Sequence, residues 1–98
     1  MSFPEYQANP DLIRHLDANE VTATELSDVA ERLEREAATI SLDDHGAVER
    51  WVRLTERRVQ AVRDGHAAKF AAASIRRQLA DDEAEHARAK AEYEAEVA

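Results

Sequence analysis

A chain of 98 residues with a formal net charge of −8 has room for one small domain. Twenty of its residues are alanine, whereas leucine, isoleucine, valine and phenylalanine together number only 19. This composition borders on that of disordered chains, so we expect the protein either to be marginally stable alone or to complete its core with a partner. The absence of cysteine excludes disulfides and thiolate metal sites.

The first predicted element is a short helix that opens at NPDLIRHL. Asn9 can cap it, while Pro10 and Asp11 suit the first helical turn. Phe3 and Tyr6 precede it in a segment that resembles an arm laid on another surface. We assign residues 1–20 to this arm and its short helix.

The second predicted helix begins at VTATEL, where Thr22 and Glu25 have the spacing of a capping box. Its apolar residues then follow the helical period from Leu26 to Ile40. The segment SLDD makes a turn, in which Ser41, Asp43 or Asp44 could cap the next helix. Residues 21–98 therefore read as a helical hairpin with an extended, charged C-terminal helix.

The third predicted helix is long, running from about residue 44 to the mid-nineties, and Gly65 would either bend it or break it. Its apolar residues alternate four and three apart, which is the heptad pattern of a coiled coil: Val48, Val52, Thr55, Val59, Val62 and His66. From helix lengths, the second helix would cover the third only to about Val62.

We predict a partner interface on the part of the third helix that lies beyond this overlap. The residues expected there are Phe70, Ala72, Ala73, Ile75 and Leu79. Two third helices would cross antiparallel near residue 73, where alanines allow close approach. The predicted fold is thus all-α and coiled-coil-like, assembling into a helical bundle, with a homodimer favoured over other oligomers.

Charge is distributed in blocks along the chain. Residues 1–49 carry a net charge of −9, residues 50–77 carry +6 and residues 78–98 carry −5. The positive block predicts electrostatic pairing, either with the acidic second helix or with the acidic tail of another copy. Its arginines in the predicted overlap are Arg50, Arg53, Arg57, Arg58 and Arg63.

Two alternatives rest on weaker patterns. Glu83 and His86 form E-x-x-H, which resembles the ligand spacing of ferritin-like bundles and implies a metal-binding module, although a solvated charged face is the favoured explanation. The arginine block could also track nucleic-acid phosphates, but the acidity of the chain disfavours this. No catalytic arrangement and no cofactor motif is present in the sequence.

The expected function is therefore that of a non-enzymatic structural or adaptor protein acting through self-assembly or protein binding. A small inhibitor or modulator of a host protein is the alternative within the same class. The N-terminus has no basic segment followed by an apolar run, so we expect a cytoplasmic protein without membrane contact. Arginine outnumbers lysine eleven to two, a bias typical of GC-rich genomes such as those of actinobacteria and their phages. A phage-encoded protein would act in the virion or the host cytoplasm.

Overall fold

The structure is a computed structural model that describes residues 2–98. Two helices account for most of these residues: α1 spans Pro10–Ala38 and α2 spans Ala47–Val97. No strand occurs in residues 2–98, which confirms the all-α class. The prediction of three helices is wrong, because the two elements expected on either side of residue 20 form the single helix α1.

The start of α1 agrees with the sequence pattern, whereas the predicted boundary inside it does not exist. The Asn9 side chain accepts a hydrogen bond from the Asp11 backbone N–H at 2.9 Å, and Pro10 occupies the first turn. Thr22 and Glu25 lie exposed in the middle of α1, so the capping box predicted there is wrong. No glycine or proline interrupts residues 11–38, and packing along α2 favours an unbroken helix.

The turn between the helices depends on glycine rather than on a capping side chain. Gly46 has a φ of 75°, in the left-handed region that a Cβ atom disfavours. The Ala47 backbone N–H donates to the Asp44 carbonyl at 3.1 Å, and α2 begins without a side-chain cap. The expectation that Ser41, Asp43 or Asp44 caps α2 through its side chain is therefore wrong.

α2 is continuous over 51 residues, which confirms the prediction of one long helix. At 1.5 Å per residue it is about 77 Å long, and the whole molecule measures 81 × 15 × 15 Å. Gly65 does not end it. Instead Gly65 is buried against α1, where a Cβ built on it would lie 3.5 Å from the Leu26 Cβ.

α1 runs back along α2 in the opposite direction. Glu20 forms an ion pair with Arg76, and Glu34 lies 3.9 Å from Arg58, so the paired residue numbers fall on one helix as they rise on the other. α1 therefore covers α2 well beyond Val62. The predicted limit of the overlap is wrong, because Leu26 already lies against Gly65 and Glu20 reaches Arg76, and α1 extends further still, to Pro10.

The contact between the helices is built mainly from small side chains. Leu33 is the largest fully buried side chain in residues 2–98, and the other buried residues are alanine and glycine. From Leu54 onward, the inward positions alternate four and three apart, as in heptad packing. We call the α2 part of this contact the alanine seam, which comprises Ala47, Leu54, Arg58, Ala61, Gly65, Ala68, Ala72, Ile75 and Leu79.

The N-terminal arm, residues 2–9, continues along α2 beyond the start of α1. The Tyr6 hydroxyl donates to the Leu79 carbonyl at 3.4 Å. His86 Nε2 lies 2.9 Å from the Pro4 carbonyl, so the ring nitrogen donates to it. The Phe3 ring centroid is 5.1 Å from that of His86 and 5.5 Å from that of Tyr93. The arm thus gives the charged end of α2 an apolar surface to pack against.

Candidate protein-interaction surface

α2 carries a second apolar row, which is not covered by α1. Val48, Val52, Val59 and Val62 are 57, 39, 42 and 36% exposed, respectively. With Thr55 between them, these positions are spaced alternately four and three residues apart and line one face of the helix. We call the four valines the valine stripe. The sequence pattern indicates a coiled-coil seam along this row, whereas α1 packs on the neighbouring row of α2.

The valine stripe lies one residue later along the chain than the alanine seam, since Val48 follows Ala47 and Val62 follows Ala61. One residue rotates the helix by about 100°, so the two rows occupy different faces of α2. Alanine and glycine let α1 approach the α2 backbone closely, and this closeness increases the number of atomic contacts. Branched valines would hold the helices further apart. The sequence does contain a signal for this packing, which is a second heptad-spaced series of small residues that includes Gly65 and Ala68.

A groove of about 80 Å³ opens beside the end of the valine stripe, between α1 and α2. Its lining includes Val62, Gly65 and His66 from α2 and Ser27 from α1. The small residues of the alanine seam leave this space open. The groove can therefore accept a side chain from another molecule.

Charged residues flank the valine stripe in an ordered way. Glu49, Glu56 and Arg63 are exposed and seven residues apart, which places them in one row on the edge away from α1. On the other edge, Arg58 lies 3.9 Å from Glu34 of α1. The outer edge of the stripe thus changes from negative near the turn to positive at Arg63.

The five residues predicted as a partner interface do not share one exposed face. Ala72 is 3% exposed, and Ile75 and Leu79 are half-buried on the side of α2 that faces α1 and the arm. Phe70 is 78% exposed and Ala73 is also exposed. Their role in binding a partner stays a prediction, and in this structure Phe70 and Ala73 are the members accessible to one.

The arginines predicted for electrostatic pairing fall into two groups. Arg50, Arg53 and Arg57 line a depression together with Glu36 and Ile40. Arg58 and Arg63 instead line the surface around Val59 and Val62. The arginines are therefore divided between two sides of the helix pair. Such a division places only part of the positive block beside any single ligand.

The two residues of the E-x-x-H pair, Glu83 and His86, lie in different environments, because the N-terminal arm covers His86 alone. His86 is half-buried under the arm, with its ring centroid 5.6 Å from that of Tyr6 and its Nε2 held at the Pro4 carbonyl. Glu83 is exposed. Coordination of a metal by His86 Nε2 would require the arm to move away. Within residues 2–98, no three His, Asp or Glu side chains are grouped so that they could hold a metal ion.

Neither helix, over the part of the chain that the structure describes, has the length and apolar character needed to cross a membrane. Comparison of the chain with protein-family models, curated proteins and solved structures gives no match.

Proposed function

We propose that this chain is a non-enzymatic helical protein that acts through self-assembly, with the valine stripe of α2 as its contact surface. Such a protein would serve as a structural or adaptor piece. The observation that carries the proposal is the exposure of four heptad-spaced valines on α2. The alanine seam of the same helix already packs against α1, so the valines are free to contact another molecule. Contiguous exposed apolar surface of this kind is typical of sites that bind another protein.

The energetic gain from covering the stripe is sufficient for a weak complex. Complete burial of a valine contributes about 1.5–3 kcal/mol, and the four stripe valines are on average a little under half exposed. Four valines from each of two chains thus supply roughly 5–10 kcal/mol before the cost of association. That cost is of similar size, so we expect a dimer whose population depends on concentration.

Light scattering behind a sizing column tests the proposal. Samples at about 10 µM and about 500 µM bracket a dissociation constant in the upper micromolar range. We expect the mass to rise from near 11.0 kDa toward twice that value with concentration. Val59→Lys should hold the mass near 11.0 kDa, because burying a lysine at that position would cost more than the valine gained.

Val21→Lys is the matched control, since Val21 is an exposed valine of α1, 56% exposed and outside the stripe. It should assemble like the unmodified protein. A mass that stays at 11.0 kDa at both concentrations would overturn self-assembly. In that case, a pull-down of a different protein that Val59→Lys abolishes would identify the stripe as the site of a modulator.

A further inference from the structure

We infer that two copies of the chain pair antiparallel along their valine stripes and that Trp51 of each copy enters the groove beside Gly65 of the other. This inference rests on the proposed function and specifies its partner and orientation. It places Val52 of one copy opposite Val62 of the other, with the centre of the pairing near residue 57.

The first argument is access. The valine stripe is rotated by about 100° from the alanine seam, so a second helix can lie on it without displacing α1. The stripe also ends at Val62, before the part of α2 that the arm covers. A heptad row of this length is matched by an identical row on another copy, with each valine filling the space between residues of the facing helix.

The second argument is charge. In the antiparallel pairing, Glu49 of each copy lies opposite Arg63 of the other, which gives two favourable contacts at the two ends of the stripe. Glu56 and Arg58 each meet their own copy near the centre, which gives two unfavourable contacts that offset the two favourable ones, whereas a parallel pairing has no favourable contact to offset its own. A parallel pairing in register would instead bring Arg58 of one copy beside Arg63 of the other, twice. The charge pattern therefore favours the antiparallel orientation.

The third argument is shape. Trp51 is 40% exposed and lies on the edge of the stripe nearer to α1. In the antiparallel register, this edge faces the groove that contains Gly65 and Ser27 of the other copy. The groove is open to solvent and is bordered by Gly65, which has no side chain, so the edge of an indole ring can enter it. A parallel pairing would place Trp51 beside Glu56 of the other copy, away from the groove at Gly65.

Cysteine cross-linking tests the orientation, because the chain contains no cysteine of its own. Val52→Cys and Val62→Cys proteins, one of them carrying a size tag, are mixed under conditions where the unmodified protein is dimeric and then oxidised. We expect a heterodimeric disulfide from the mixture and little from either protein alone. Val59→Cys should cross-link poorly with itself, because antiparallel pairing places the two Cα atoms beyond the roughly 7 Å limit for a disulfide.

Efficient self-linking of Val59→Cys, without the mixed Val52–Val62 product, would overturn the antiparallel pairing while leaving self-assembly intact. A protein that is monomeric throughout would overturn both, so the two failures are distinguishable. Circular dichroism of each variant first checks that it remains helical.

The fluorescence of the unmodified protein supplies an independent test, since Trp51 is its only tryptophan. We expect the emission maximum to move to shorter wavelength as concentration rises and the mass doubles, because the indole leaves water. An emission maximum that does not change across the dimerisation range would refute the insertion of Trp51 into the groove. Val59→Lys, which remains monomeric, gives the baseline.

Discussion

Replacement of Gly65 by alanine should stabilise the protein, although Gly65 occupies a buried contact between the helices. A glycine inside a helix is about 0.8–1.0 kcal/mol less favourable than alanine, because its backbone loses more freedom on folding. The added Cβ would lie 3.5 Å from the Leu26 Cβ, which is an ordinary van der Waals contact. The variant therefore gains helix propensity without a steric penalty, for a total of about 1 kcal/mol.

The assay is thermal and urea unfolding followed by far-UV circular dichroism at a fixed, low protein concentration, since assembly would itself raise the midpoint. For a chain of this size, 1 kcal/mol corresponds to a rise of about 4–8 °C in Tm. Ala67→Gly is the control, because Ala67 is exposed in the same helix and should lose about the same free energy.

Gly65→Leu should instead lower the stability, because a leucine side chain would collide with Leu26 and force the helices apart. A Gly65→Ala protein that is less stable than the original would refute this reasoning. It would mean that α1 and α2 approach more closely than a Cβ permits, or that α2 is not a continuous helix at residue 65.

Three further predictions concern the arm, the turn and an ion pair. Phe3→Ala should speed amide hydrogen exchange several-fold in residues 80–97, because it removes ring contacts that contribute about 0.5–1.5 kcal/mol each. Gln7→Ala, at an exposed position of the arm, should leave the exchange rates unchanged. Gly46→Ala should lower the free energy of unfolding by about 1–2 kcal/mol in urea titrations, because its φ of 75° suits glycine, and an unchanged midpoint would contradict that backbone geometry. Glu20→Gln should cost less than about 1 kcal/mol, because its ion pair with Arg76 is exposed, and the loss should shrink in high salt; a loss that grows with salt would show another cause.

Local signals in the sequence were sufficient for the start of α1 but not for the number of helices. Asn9, Pro10 and Asp11 identified the start of α1 because a cap acts through its nearest neighbours. Thr22 and Glu25 have an equally good local pattern, yet they lie within α1. A capping box stabilises a helix start where the chain has a reason to begin there, and continuous packing on α2 removes that reason.

The sequence by itself determined that the chain is all-α and that one helix is very long, because composition and periodicity are local properties of the chain. It also identified the heptad-spaced valines. Only the tertiary structure decided which face of α2 meets α1. Two rows one residue apart, one of valine and one of alanine and glycine, both have the heptad period, and hydrophobicity alone favours the valines. Close approach of the two backbones favours the small residues. The stabilisation from that approach depends on how both helices fit together over their whole length. That choice left the valine stripe exposed and made it the surface on which the proposed function rests.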